Sequence, residues 1–496
     1  MPAALAALIA SIPLAYLVLR ATANGLDPVL QVLWRERTAR LVGRSILFAA
    51  LVTLACLVVG IGTAWILARC RLRGAGAWRV LLALPLAVPS YVAAFSWLAI
   101  WPQLEGLWAA VLVLTLTSYP YAYLPVLAAL RSTDPALEEV SRSLGRGRWR
   151  TFATVTLRQV SPAAAGGGLL VALYALSDFG AVSILRYDSF TRVIHSSYRA
   201  GFDRTQAAIL GCLLVLVTIV IVIGESRARG HADRARTGSG VRRTAAPVEL
   251  GWWMPAATVG LGGVLGLALG VPAVSLTWWL MRGGSAGTDL PSLATAALTT
   301  LWVSLLGAAL TVALALPVGV LAARSRHRAV RVIEQLTYAG HALPGIVVAL
   351  SLVLVGVTIL RPLYQRTPLL VLAYAVLFLP SAVAAVRGSV VLSSPRLEEV
   401  ARALGNSPRQ VFRRVTLPLA TPGIAAGAVL VMLTCMKELP ATLLLRPTGT
   451  ETLATELWAA TTVGRYAEAA PYAGVLVLLS SLPAALMLTT RGDRRG

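Results

Sequence analysis

Asp134-Pro135-Ala136-Leu137-Glu138-Glu139-Val140-Ser141-Arg142-Ser143-Leu144-Gly145 and Ser394-Pro395-Arg396-Leu397-Glu398-Glu399-Val400-Ala401-Arg402-Ala403-Leu404-Gly405 are one segment written twice, 260 residues apart. Extended without gaps, Pro135–Gly166 and Pro395–Ala426 agree at 14 of 32 positions. Agreement of that kind marks an internal duplication. Asp134 or Ser394 suits a helix N-cap, with proline at the first helical position. The glutamate pair follows within the first turns, where the helix dipole favours negative charge. Leu137, Val140 and Leu144, like Leu397, Val400 and Leu404, recur at i, i+3 and i+7 and form one apolar stripe. Gly145 or Gly405 suits the left-handed residue that stops a helix. In the second copy Ser407-Pro408 starts another helix. Phe152 and Phe412 hold equivalent places before Pro162 or Pro422 opens the next apolar run. The segment predicts a short amphipathic helix, a glycine turn and a returning helix. Such a helix either lies on lipid or docks in a protein groove. The paired glutamates and the modest stripe favour the groove over an anionic headgroup layer.

The surroundings of the duplicated segment are strongly apolar. Of 496 residues, 57% are hydrophobic and 13% charged, with a mean hydropathy of +0.75. A soluble chain would carry about 25% charged residues, which argues against a water-soluble multidomain enzyme. A bilayer core takes about 20 apolar residues per helix. Twelve windows qualify, near 3–19, 45–68, 80–100, 107–130, 162–185, 206–224, 252–280, 292–323, 332–360, 367–386, 422–444 and 470–490. The run ending at Ala21-Thr22-Ala23 lacks the basic start of a signal peptide and reads as the first span. The expected architecture is an all-α polytopic membrane protein of about twelve transmembrane helices. Residues 1–224 form a first six-helix repeat, 225–249 a charged linker, and 250–496 a second repeat. Six spans per repeat return the chain to the same side, so the repeats are parallel rather than inverted.

The net charge of +23 comes from 44 basic and 21 acidic residues, and Lys437 is the only lysine. In a soluble protein this excess would suggest nucleic acid. Here it tracks topology. With both termini cytoplasmic, the inner loops hold 29 arginines and the outer loops 14, as the positive-inside rule requires. Cytoplasmic arginines also gain from anionic lipid. The cluster Arg35, Arg37, Arg40 and Arg44 falls on the outer side against this trend. A single lysine, flanked by Met436 and Glu438, excludes a Walker A phosphate loop. Cys56, Cys70, Cys212 and Cys435 and the four histidines, His195, His231, His327 and His341, show no metal-ligand spacing. No motif of nucleophilic or metal-dependent catalysis stands out, so no catalytic residue is assigned.

The duplicated segment resembles the signature of ABC importer permeases, Glu-Ala-Ala, three residues, Gly, nine residues, Ile, one residue, Leu-Pro. The second copy matches at Glu399, Gly405, Val415, Leu417 and Pro418. The first keeps Glu139, Gly145, Val155 and Leu157 but has Arg158 in place of proline. The resemblance implies that each copy is a coupling helix seated on an ATPase subunit, with Glu138, Glu139, Gly145, Glu398, Glu399, Gly405, Leu417 and Pro418 as the coupling residues. Two copies imply contact with two ATPase subunits, which carry the ATP and Mg, while this chain binds no cofactor. An extracytoplasmic substrate-binding protein would complete a system in the bacterial inner membrane. Ser177-Asp178-Phe179-Gly180-Ala181-Val182, the run from Lys437 to Pro447 and Glu451-Thr452-Leu453-Ala454-Thr455 further resemble the fused ferric-iron permeases. Thiamine permeases are also fused pairs, so thiamine or another small solute is the alternative substrate.

Asp178 and Glu438 are also 260 residues apart, each in the apolar segment that follows a copy of the motif. A carboxylate in a bilayer core costs about 2.5–3.5 kcal/mol and faces protein or water. Ferric iron is a hard cation suited to carboxylate oxygens, so Asp178 and Glu438, beside Lys437, are candidates for the translocation pathway and for a transient metal contact. The competing reading pairs them with Arg186, Arg446 or Lys437 to position helices. A proton- or sodium-coupled secondary transporter is the rival from another class. It would want more ionisable residues deep in the spans and has no need of two coupling motifs.

Overall fold

The computed structural model describes residues 2–133, 136–200, 204–232, 251–282, 289–325, 327–339 and 343–490, and these are overwhelmingly helical. Asp134-Pro135, His341 and most of the 225–249 linker lie outside the described residues. Among those described, nine helices are long and apolar enough to cross a membrane, or ten with one bent pair counted as a single span. Two of the twelve windows are built differently from straight spans. The 80–100 window bends by 90° between Ala75–Ala87 and Ser90–Ile100. The 332–360 window divides into Arg328–Ala339 and the 14-residue helix Gly345–Thr358. Proline explains both breaks: Pro89 and Pro344 stand immediately before the second helix with extended ψ values of 141° and 145°, since proline cannot continue a helical hydrogen-bond ladder. The 470–490 window falls in the helix Tyr466–Thr490.

The chain forms two compact units, each drawn from segments distant in sequence. One comprises Glu36–Arg192, Leu216–Met281 and Leu488–Gly496. At its centre Glu36–Arg69, Pro120–Ser132 and Leu157–Ser177 pack against one another. The other comprises Met1–Arg35, Val193–Val215 and Arg282–Met487. There Leu290–Arg324, Thr367–Leu392 and Leu417–Met436 repeat the arrangement. The opening helix Pro2–Thr22 packs in this second unit, on Leu290–Arg324, Arg328–Ala339 and Gly345–Thr358, and Tyr16 shares a 2.7 Å hydroxyl hydrogen bond with Thr358. Sequence duplication describes where the helices came from, whereas the compact units describe what they pack on.

Small residues let the central helices approach closely, as is usual where hydrocarbon surrounds a protein. A Cβ on Gly167 would lie 2.7 Å from the Tyr121 carbonyl oxygen, 2.8 Å from Ala122 Cα and 3.2 Å from Pro125 Cγ. A Cβ on Gly427, the residue 260 positions later, would lie 2.5 Å from Ala385 Cβ. Ala385 is itself 260 positions after Pro125, so one close crossing is built twice. The long helix Leu290–Arg324 begins on a local cap, in which Asp289 accepts from the Ser292 amide at 3.3 Å and hydroxyl at 2.6 Å. Those two bonds hold the exposed Asp289 carboxyl below its ordinary range.

Candidate functional site

The duplicated segment forms the helices Ala136–Ser143 and Pro395–Ala403. Each ends as its sequence predicts. Gly145 and Gly405 take φ of +78° and +82°. Their amides bond to the Arg142 and Arg402 carbonyls, and the next amides reach the Ser141 and Ala401 carbonyls at 3.2 Å. This is a glycine-terminated Schellman stop. The returning chain then runs through one wide turn, Phe152–Thr156 or Phe412–Thr416, into Leu157–Ser177 or Leu417–Met436. Leu417 and Pro418 thus open a span. Pro162 and Pro422 lie inside these helices rather than at their starts, because the wide turn carries the helical path back past the proline by more than a turn.

The two glutamates of each pair have different surroundings. Glu138 and Glu398 are buried, while Glu139 and Glu399 are exposed. Glu138 Oε1 accepts from Arg69 Nη2 and from the Thr156 hydroxyl, both at 2.9 Å. Glu398 Oε1 accepts from Arg324 Nη2 at 2.6 Å, from Arg324 Nε at 3.1 Å and from the Thr416 hydroxyl at 2.9 Å. Arg402 adds a 3.4 Å contact to Glu398 Oε2. Arg69 and Arg324 are the last residues of the long helices Glu36–Arg69 and Leu290–Arg324. Each buried glutamate therefore ties its short helix to the end of one span and to the turn entering another. The cation also caps the carbonyl end of the long helix, where positive charge is favoured. Charge-assisted bonds of this kind are about twice as strong as neutral ones.

A second face of each short helix is apolar and uncovered by the described residues. Leu137, Val140 and Leu144 are 59, 54 and 72% exposed, and Leu397, Val400 and Leu404 are 49, 57 and 77% exposed. Anchored on one face and bare on the other, the two helices have the form of docking elements.

Asp178 and Glu438 stand at breaks after a span. Asp178 follows Leu157–Ser177 and precedes the short helix Gly180–Ile184, and Glu438 precedes Pro440–Leu445. Asp178 is buried; its Oδ1 accepts from the Ala181 and Val182 amides at 3.0 and 3.2 Å, and its Oδ2 from the Ser90 hydroxyl. Glu438 is half-buried, and its Oε1 accepts from the Ala441 amide at 3.2 Å. Both carboxylates thus cap the short helix that follows. Lys437 ends the preceding helix. Arg186 pairs with Glu105 at 3.2 Å. Arg446 donates to the Thr450 carbonyl and the Thr455 hydroxyl and lies 4.0 Å from Glu456. Burial raises the Glu456 carboxyl, Glu451 adds to the rise, and Arg446 partly offsets it. Among the described residues no three His, Cys, Asp or Glu side chains gather as a metal site.

Arg69, Arg324, Thr156, Thr416, Ser90 and Gly345 are absent from the sequence-derived candidates. The threonines were visible as identities within the 32-residue repeat. The arginines carried only a weak signal, each ending a long apolar run.

The model of binding-protein-dependent transport system inner membrane components matches residues 60–225 and 315–490, once in each half. Across 479 residues the chain is 38% identical to the Fe(3+)-transport system permease protein FbpB 2 of Haemophilus influenzae, covering 96% of this chain and 95% of that protein. It is 29% identical over 216 residues to the molybdenum transport system permease protein ModB of Escherichia coli, covering 38% of this chain and 93% of the relative. A similar partial match joins it to the sulfate transport system permease protein CysT of Escherichia coli, 29% identical over 201 residues, 36% of this chain and 73% of the relative. The full-length relative matches both halves in one alignment, and the duplicated helices Ala136–Ser143 and Pro395–Ala403 lie within the regions matched by the family model. The chain belongs to the inner membrane components of binding-protein-dependent transport systems.

Proposed function

We propose that this protein is the fused permease of an ATP-driven importer for ferric iron. The observation that carries the iron assignment is the 38% identity over nearly the whole length of an Fe(3+)-transport permease, where the molybdenum and sulfate permeases match only a part of the chain. An extracytoplasmic binding protein delivers the cation. Two copies of an ATPase subunit, which hold the ATP and Mg, seat on the helices Ala136–Ser143 and Pro395–Ala403, so both termini face the cytoplasm. This reading is supported by the exposed apolar stripes Leu137-Val140-Leu144 and Leu397-Val400-Leu404. Glu139 and Glu399, on the exposed side, meet the ATPase. Glu138 and Glu398 instead transmit its movement through Arg69 and Arg324 into the spans.

Asp178 and Glu438 serve the translocation pathway, with Lys437 beside the second. Their carboxylates also hold short helices in place, so any contact with the passing cation is transient. A single carboxylate presents at most two hard oxygen ligands, too few to retain a ferric ion tightly.

The test is radioactive iron uptake into vesicles containing the chain, the ATPase and the binding protein. Uptake is expected only with all three and ATP. Iron uptake without the ATPase, driven by a proton or sodium gradient, would replace this reading with secondary transport. Competition by thiamine but not by iron would move the substrate to the small solutes. Full iron uptake in an Asp178→Ala, Glu438→Ala chain present at normal levels would remove those two residues from the pathway.

A further inference from the structure

The two carboxylate breaks are equivalent, yet they are built from different residue pairs. In one unit Pro89 precedes the helix Ser90–Ile100, and in the other Pro344 precedes Gly345–Thr358. The prolines have the same backbone conformation, with φ of −59° at both and ψ of 141° and 145°. The residue after each proline faces the carboxylate. Ser90 donates its hydroxyl to Asp178. At the second break Gly345 has no side chain, and Glu438 occupies the space that one would need. A Cβ on Gly345 would collide with Glu438 Oε1 and lie 3.3 Å from Cδ and 3.5 Å from Oε2. Both carboxylates nonetheless accept from the amide three residues ahead, Ala181 at 3.0 Å and Ala441 at 3.2 Å. The gap is therefore bridged by serine plus the short carboxylate in one unit, and by glycine plus the long one in the other.

We propose that Ser90 and Gly345 are positioning residues that decide which carboxylate each half can carry, serine matching aspartate and glycine matching glutamate. Each pair joins the start of a helix behind a proline break to the cap of the short helix after a span, holding the carboxyl group in one place. The transport consequence rests on the reading that Asp178 and Glu438 serve the pathway. The packing consequence does not. A glutamate opposite Ser90 pushes its carboxyl group out of the capping position by one methylene, and a serine opposite Glu438 meets it head on. Interiors respond to single methylenes because they are close-packed.

The experiment exchanges the pairs in the full chain: Gly345→Ser, Glu438→Asp and their combination, with Asp178→Glu, Ser90→Gly and their combination. Two quantities are measured, the melting temperature of the purified chain in detergent and iron uptake with the ATPase and binding protein. Gly345→Ser and Asp178→Glu alone should lower the melting temperature and reduce uptake about tenfold or more, because misplacement near a methylene's length is costly in a functional site. Each combination should restore both, with uptake within about threefold of the parent, as coupled neighbours do when a clash is relieved. Combinations no better than the worse single change, or unaffected singles, overturn the proposal. Where the parent chain takes up iron, recovery of melting temperature without recovery of uptake also overturns it, as it leaves a packing repair alone. If a single variant fails to accumulate, accumulation of its combination supports the proposal, and failure of that combination overturns it. The melting temperature needs no substrate, so a parent chain that takes up no iron sinks the iron reading while this packing pattern still decides the pairing.

Discussion

Removing Glu138 should cost the fold more than removing Glu398, although the two hold the same place in the duplicated segment. The Arg69 and Glu138 side chains are 4% and 11% exposed and 2.9 Å apart. In Glu138→Ala, Arg69 keeps its charge where almost no water reaches, and its buried Nε has no hydrogen-bond partner among the described residues. Breaking a buried pair from one side costs about 3–5 kcal/mol. The Arg324 side chain is 23% exposed, and it still donates to the Ser393 carbonyl at 3.1 Å when Glu398 is gone. Glu398→Ala should then cost about 1–3 kcal/mol, the range for losing hydrogen bonds to a charged group that retains other contacts. Equilibrium unfolding of the purified chain in mixed micelles, followed by tryptophan fluorescence, measures both. Replacing the first pair by Arg69→Met with Glu138→Leu should return most of the lost stability. Uptake should stay low, because the charged tie between the span Glu36–Arg69 and the helix Ala136–Ser143 is then missing. Equal losses from the two alanine variants, or a loss below about 1 kcal/mol for Glu138→Ala, would refute burial as the source of the difference.

Gly167→Ala should destabilise by about 1–3 kcal/mol through overpacking against Tyr121 and Ala122, while Gly168→Ala, whose Cβ would sit 3.4 Å from Leu57 and Thr53, should be neutral or stabilising in the same micelle assay. Leu397→Glu with Leu404→Glu, both on the exposed stripe, should leave the melting temperature unchanged but abolish co-purification with the ATPase. Loss of folded protein instead would show that the stripe is covered within the chain. Ser292→Ala should move the Asp289 titration upward, towards the ordinary carboxylate range. Because the folded value is depressed, the cap's contribution is present above the unfolded value and lost as pH falls through the folded one. Amide exchange at the start of Leu290–Arg324, followed against pH, would detect fraying at a higher pH in the variant.

Local features were legible in the residues. The left-handed glycines at 145 and 405 and the i, i+3, i+7 stripes depend on neighbours within a few positions, and the structure has them where the sequence puts them. The twelve apolar windows were legible as composition, but whether a window is a straight span, a 90° bend or a divided helix depended on prolines acting with their tertiary surroundings. The different surroundings of Glu138 and Glu139 were beyond a reading of spacing. Glu138 meets Arg69 across 69 positions, and Glu398 meets Arg324 across 74. Nothing in the alternation of residues says which of two adjacent carboxylates turns inward.

The repeat illustrates the same division. By itself the sequence determined that the chain is an all-helical membrane protein with an internal duplication, that each copy of the duplicated segment is a short amphipathic helix, and that there is no Walker A phosphate loop, since the one lysine stands between Met436 and Glu438. These conclusions need only composition, period and self-similarity. Tertiary structure alone decided that Glu138 and Glu398 are internal anchors, and that Ser90 with Asp178 and Gly345 with Glu438 are two solutions of one packing problem. Those pairs lie 88 and 93 residues apart, and what relates them is the volume left between two helices, a quantity that exists only once the chain has folded.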